Sequence, residues 1–382
     1  MKKVISVVAI VILILMGLAS MQAQAAQAAP KGKATAVQPA RPASGEWEKL
    51  AAAARKEGTL VVVGTSLGAT KAAISKAFRE KFGVNIQYLD GWGAEVTAKV
   101  LAQRSAGLYT VDIGHTGDGT FFEMQPHHIT VPLEPFMILP EITDGSKWRG
   151  GRIPFIDKEK HIMSFVAMSI PPAIYNMDMV KENEITRNAD LLNPKWKGKI
   201  VLGDPTITGT GNNWFTHVVT VLHSRDEGLK FMRDFVKQEP LVSRDNRQLV
   251  EWVAKGKYPV GVAASMSVTA QFKQLGASIG YGALADRPFI SPGPGNMYVF
   301  DKAPHPNAAK LYVNWLLSRE GAELWVPAHG YPSLRLDVAA NNSIDPALIP
   351  PKDVSVTKEA SYLKLQGDMR TLAKEVFKDL MR

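Results

Sequence analysis

Beyond about residue 46 the chain alternates two patterns of apolar positions: short continuous runs, and longer stretches in which apolar residues return every three or four places. In its clearest instance Leu60-Val-Val-Val63 predicts a strand, while Ile74, Ala77, Phe78 and Phe82 share one face of a predicted helix over 69–82. Upstream, Trp47, Leu50, Ala51 and Ala54 recur at helical spacing, and Gly58 is a natural stop. The same grammar repeats. A strand over 84–88 leads to Asp90-Gly-Trp-Gly93 and a helix to about Arg104, and a strand over 110–113 leads to Gly114-His-Thr-Gly-Asp-Gly119. Later, a strand over 199–202 leads to Gly203-Asp-Pro-Thr-Ile-Thr-Gly-Thr-Gly-Asn-Asn213 and an apolar helix through Val221, and a strand over 259–263 leads to Ala264-Ser-Met-Ser-Val-Thr269. Strands alternating with helices predict an α/β architecture whose sheets are mostly parallel.

The polar, glycine-containing strand ends fall into two groups, one before about residue 120 and one after about residue 200, which predicts two lobes facing each other. Ser164-Phe-Val-Ala-Met-Ser-Ile-Pro-Pro-Ala-Ile-Tyr-Asn176 reads as a strand crossing from one lobe to the other, and Ser291-Pro-Gly-Pro-Gly295 as the place where the chain crosses back. A strand over 297–300 and a helix over 307–317 come next. The expected division is therefore 46–168 with 294–345 as the first lobe and 169–293 as the second. A helical segment over 346–382 is expected to pack on the second lobe.

The N-terminus departs from this pattern. Met1-Lys-Lys3, the apolar run from Val4 to Leu18 and the small-residue sites Ala23-Gln-Ala25 and Ala26-Gln-Ala28 predict a signal peptide over 1–25. Its run of about 15 residues is shorter than the roughly 20 a spanning helix needs, so the mature protein is expected to be soluble and exported. Residues 26–45, rich in Ala, Pro, Lys and Gly, read as a flexible linker.

Composition narrows the chemistry. The chain has no cysteine, which excludes thiol catalysis, Cys-ligated zinc and iron–sulfur clusters, and leaves stability to the core alone. The formal charge is +9, but basic residues are interleaved with acids, as in Lys230-Phe-Met-Arg-Asp-Phe-Val-Lys237. This is a solvated helix face rather than a nucleic-acid surface, and the modest positive field favours an anionic ligand. His127-His128 with Glu123 fixes no third metal ligand and reads as a surface or packing feature.

Four stretches, in order, resemble periplasmic solute-binding proteins of the ferric-ion-binding type, which feed ABC importers. They are residues 60–82, Gly198-Lys-Ile-Val-Leu-Gly-Asp-Pro205, Leu249-Val-Glu-Trp-Val-Ala-Lys-Gly-Lys-Tyr-Pro-Val-Gly-Val262, and Pro306-Asn-Ala-Ala-Lys-Leu-Tyr-Val-Asn-Trp-Leu-Leu-Ser-Arg-Glu-Gly321. The resemblance implies a two-lobed fold of the class II type: two mostly parallel sheets flanked by helices, joined by two crossing strands. It also implies a periplasmic monomer with a ligand in the cleft, and partners in the inner membrane, a permease and its ATPase. Ferric-binding relatives carry adjacent tyrosines where this chain has Ser265-Met266-Ser267, and their first-lobe histidine and glutamate fall near Ser66–Leu67 and Thr116–Asp118. Iron held by that chemistry is therefore not expected, and no metal site or cofactor is assigned. Ferric iron bound through His115 or Asp118 stands as the alternative.

The strand ends instead offer neutral donors: Thr65, Ser66, Thr116, Thr208, Thr210, Asn212, Ser265 and Ser267. Several precede helices, where free N–H groups and the helix dipole favour an anion, although Ser and Thr there also serve as ordinary caps. Arg244 is a candidate for a charge-assisted contact, His115 lies among the same loops, and Trp92 and Tyr175 are candidate walls for an apolar body. The set predicts a small organic solute bearing a carboxylate or phosphate. Gly64-Thr-Ser-Leu-Gly68 also matches the G-x-S-x-G nucleophile turn, and Asp301 with His305 or His329 come after it in hydrolase order. With no glycine-rich oxyanion segment before it, Ser66 reads as a binding residue, no catalytic residue is assigned, and a serine hydrolase is the minor alternative.

Overall fold

The computed structural model describes residues 44–64, 68–91, 93–293, 295–340, 344–354, 356 and 361–381. The expected signal peptide and nearly all of the expected linker lie outside these residues. Residues Ala40–Arg382 form one compact unit, to which every helix and strand below belongs.

The chain opens with helix α1 (Ser44–Glu57), which stops at Gly58, where φ is +71°. Strand β1 (Thr59–Gly64), helix α2 (Gly68–Phe82), strand β2 (Asn85–Asp90), helix α3 (Gly93–Ser105), strand β3 (Ile113–His115) and helix α4 (Asp118–Met124) then keep the alternation read from the sequence. β1 pairs in parallel with β2 and with β3. At the end of β1 the backbone of β3 comes so close that a Cβ on Gly64 would lie 1.7 Å from the His115 carbonyl oxygen, so only glycine fits. The third strand starts later than the apolar pattern predicts. Asp112 is buried, and its carboxylate, rather than a strand carbonyl, accepts the Val61 N–H at 2.7 Å.

The first sheet is completed out of order by β4 (Thr130–Val131), β5 (Ile162–Ser164) and β13 (Asn296–Phe300), with β13 antiparallel to β3, β4 and β5. Its helices pack through aromatic rings. Phe78 on α2 meets Tyr312 and Trp315 on α9 (Pro306–Leu317) at centroid distances of 5.3 and 5.2 Å. Helix α10 (Arg319–His329) comes next and lies against α2.

The second sheet runs β11–β7–β10–β8–β9, built from Ile279–Gly282, Ala173–Asn176, Val260–Val262, Ile200–Gly203 and Leu241–Ser243. β9, β8 and β10 are parallel, and β7 runs against them. Its helices are α5 (Thr210–His217), α6 (Arg225–Val236), α7 (Asn246–Ala254), α8 (Met266–Gln274) and α11 (Ser361–Val376). A π-helical turn, Val218–Leu222, extends α5. α11 packs on α5 and α6, burying Met369, Ala373 and Phe377 beside Phe215.

Two strands connect the sheets as an antiparallel ribbon, β6 (Met168–Ile170) with β12 (Phe289–Ser291), in the register Ile170 to Phe289 and Met168 to Ser291. The single crossing strand expected over 164–176 is thus three strands. Pro171 and Pro172 cannot donate to a ladder and separate β6 from β7.

Candidate functional site

The sheet joined to the first by this ribbon presents two helix starts side by side. After β8 the chain turns through a loop in which Asp204 accepts from the Thr206 N–H and hydroxyl at 2.7 and 2.6 Å, and α5 begins behind Gly209. Glycine is required here: a Cβ on Gly211 would lie 2.2 Å from the Gly203 carbonyl oxygen. After β10, Ala263 takes the left-handed conformation at φ +57°, which alanine seldom adopts, and Ser265 stands before α8. Neither Gly209 nor Ser265 caps its helix with a side-chain hydrogen bond. The orphan N–H groups and positive ends of both helices are therefore available to a ligand.

A cavity of about 110 Å³ lies against these starts. Thr210, Asn213, Trp214 and His217 line it from α5 at helical spacing, residues 263–267 from β10 and α8, Pro171, Phe289 and Ser291 from the connecting ribbon and its edge, and Tyr331 from beyond α10. No Lys, Arg, Asp or Glu occurs among the described lining residues. The Ser265 and Ser267 hydroxyls are 3.1 Å apart, so whichever donates to the other, one hydroxyl proton remains free for a ligand. The His217 Nε2 donates to the Arg287 carbonyl at 2.8 Å, which fixes the tautomer because a carbonyl only accepts. Burial pushes this imidazole below its ordinary value, so it is neutral at pH 7. Burial pushes the Tyr331 phenol up, keeping it protonated and able to donate.

Of the residues singled out from the sequence, the structure brings Thr210, Ser265 and Ser267 to this cavity. The Thr210 hydroxyl donates to Asn246 Oδ1 at 3.2 Å, so toward an anion Thr210 offers its backbone N–H. The others described lie elsewhere, each for a local reason. His115 is wholly buried, with Nδ1 at 2.9 Å from the Asn296 carbonyl and its ring among Phe165, Tyr312 and Trp325. Thr116 spends its hydroxyl proton within the first lobe, 3.0 Å from the Gly117 carbonyl and 3.1 Å from the Tyr298 hydroxyl. Tyr175 is a core residue whose ring fills the space over Gly280. Thr208 is exposed on the loop before α5, and Asn212 is buried beneath it, its Nδ2 donating to the Pro205 carbonyl at 3.3 Å. Arg244 pairs with Asp204 at 3.0 Å, neutralising that buried carboxylate rather than facing a ligand. Thr65, Ser66 and Trp92 lie outside the described residues.

His217, Trp214, Asn213, Phe289 and Tyr331 were not singled out from the sequence. The α5 residues were within reach of the pattern, because 210, 213, 214 and 217 form one helical stripe; Phe289 and Tyr331 are brought in only by the tertiary fold. Among the described residues, no group of three or more His, Cys, Asp or Glu is placed to hold a metal ion. The partners of a serine triad are engaged elsewhere, Asp301 with Arg104 and His305 with Asp112.

A family model described as bacterial extracellular solute-binding protein matches residues 73–351. An uncharacterised protein of Haemophilus influenzae is 25% identical over 297 residues, spanning 72% of this chain and 77% of that protein. Among solved structures, FutA of Trichodesmium in complex with iron and citrate is similar at a TM-score of 0.65 and 17% identity, over 85% of this chain and 99% of that one. AfuA of Actinobacillus pleuropneumoniae with exogenous fructose-6-phosphate bound is similar at a TM-score of 0.58 and 17% identity, over 84% of this chain and 98% of that one. At these identities the structural likeness is one of fold, a two-lobed periplasmic binding protein, and the two neighbours hold different ligands.

Proposed function

We propose, on the premise that this chain belongs to the bacterial extracellular solute-binding proteins and is the periplasmic solute-binding component of an ABC importer, that its cargo is a small organic anion bearing a carboxylate or phosphate. The observation that carries this reading is the pair of uncapped helix starts, at Thr210 and Met266, facing one cavity whose described lining holds no carboxylate. Helix dipoles, backbone N–H groups and a serine hydroxyl converge there on a point where negative charge is favoured. A cation would find no counter-charge among the described lining residues.

Ferric iron asks for hard anionic donors, and the FutA complex holds iron together with citrate. The described cavity lining supplies serine hydroxyls, an amide, a neutral imidazole and a protonated phenol. Ligand held by the second lobe and reached by Tyr331 and the ribbon shifts an open–closed equilibrium, and only contacts made preferentially in the closed state drive that shift.

The test begins with protein purified from the periplasm without chelator, examined by native mass spectrometry and elemental analysis. An organic anion released on denaturation supports the reading, and stoichiometric iron overturns it. With that anion, replacing both Ser265 and Ser267 by alanine is expected to weaken binding about tenfold or more, the order of a hydrogen bond to a charged group. Unchanged affinity in calorimetry would remove the α8 start from the site.

A further inference from the structure

The cavity at the helix starts, at about 110 Å³, is smaller than the roughly 300–1,000 Å³ of pockets that enclose whole metabolites. A second cavity of about 360 Å³ adjoins it, and Asn213, His217 and Phe289 are a wall common to both. Helix α5 runs along the two. Thr210, Asn213 and His217 face the first, while Asn213, Thr216, His217 and Thr220 face the second, so the cavities lie along successive turns of one helix. Arg287 and Asp353 line the second cavity and carry the only formal charges among the described residues that line either one.

We infer that the cargo is an elongated organic acid with a carboxylate at each end, one at the α5 and α8 starts and the other beyond His217 at Arg287. The inference rests on the anion reading above and deepens it. The helix sets the span: Thr210 and His217 are seven residues apart, about 10 Å along the axis, and the hydrogen bond from His217 to the Arg287 carbonyl sets Arg287 at that level. Between the ends, Trp214 and Phe289 give the cavity an apolar wall, which suits a methylene chain. The neck is the edge-to-face pair of His217 and Phe289, with centroids 5.7 Å apart, and the chain would pass between these rings. Asp353 selects the distal group. A doubly charged phosphate would be repelled there, whereas a singly charged carboxylate can pair with the Arg287 fork.

Calorimetry on the whole protein, with α,ω-dicarboxylates of four to ten carbons and monocarboxylates of the same lengths, tests this. The longer dicarboxylates are expected to bind about tenfold tighter than their monocarboxylate counterparts, and Arg287→Gln is expected to erase that advantage while leaving monocarboxylate affinity unchanged. Because Arg287 is exposed, the substitution leaves the core untouched. Equal binding of the two series, or an advantage that survives Arg287→Gln, overturns the inference while monocarboxylate binding sensitive to Ser265→Ala and Ser267→Ala keeps the anion reading. Tightest binding by ω-amino carboxylates would make Asp353 the distal partner and overturn it as well. Absence of binding by every acid in both series would overturn the inference, while a phosphate-bearing organic anion released from the purified protein would keep the anion reading.

Discussion

His217 shows how one residue is held in a defined protonation state. Its Nε2 proton goes to the Arg287 carbonyl, its ring meets Phe289, and burial disfavours a second proton. The hydrogen bond to the Arg287 carbonyl and the charge of Asp286 favour that proton, the Arg287 charge disfavours it, and burial outweighs the groups that favour it. With the folded imidazole below its ordinary value of about 6.5, the unfolded chain binds more protons in the window just below that value. Stability therefore falls as pH is lowered through that window and levels off below the folded value. His217→Gln keeps a donor for the carbonyl and removes the titration. Urea denaturation between pH 7.5 and 5 is expected to show a shallower loss of stability in the variant. Identical slopes would mean that the buried imidazole is not what titrates. At this scale sequence alone revealed donors without their partners. Thr116, Asn212 and Arg244 carry the chemistry an anion site needs, but Tyr298 and Gly117, Pro205 and Asp204 have already taken it. Which hydroxyl remains free depends on contacts between residues far apart in the chain.

Elements were more legible, because a strand or helix is written in its own residues. Ile74, Phe78 and Phe82 are buried on α2 as their spacing requires. The departures arise where a side chain or a proline replaces a ladder partner, as Asp112 does before β3 and Pro171-Pro172 after β6. His217 falls in an apolar helix as expected, yet that helix begins at Thr210, inside the stretch read as a loop, and its last turn, Val218–Leu222, is π-helical, a distortion that the apolar pattern does not signal. The C-terminal helix α11 supplies an energetic test. Phe377 is fully buried, its ring 6.1 Å from that of Phe215 on α5, the helix that lines both cavities. Phe377→Ala is expected to cost about 3–5 kcal/mol and, by loosening α5, to weaken ligand binding as well. Guanidinium denaturation with calorimetry reads both. A loss of less than about 1 kcal/mol would place α11 outside the cooperative unit of the second lobe.

At the scale of the whole molecule, the repeated glycine-containing strand ends pointed to two sheets meeting at their ligand edges, and the structure joins them by the ribbon of β6 and β12. The ribbon is short, two antiparallel strands of three residues each, and Phe289 and Ser291 on it line the cavity. The cavity wall and the connection between the sheets therefore share these residues, so a ligand in the cavity would touch the connection itself. Tyr331 reaches the site from the segment after α10, and its protonated phenol adds a hydroxyl to those of Ser265 and Ser267. If closure is driven by contacts completed from that side, Tyr331→Phe should leave the α5 and α8 starts able to bind while weakening the drive to close. Small-angle scattering with saturating acid, using the carboxylate that most raises the melting temperature, is expected to show a smaller radius of gyration for the wild-type protein and a reduced change for Tyr331→Phe. An equal contraction in both would assign closure to the ribbon contacts alone, with the phenol contributing only to the pocket's shape.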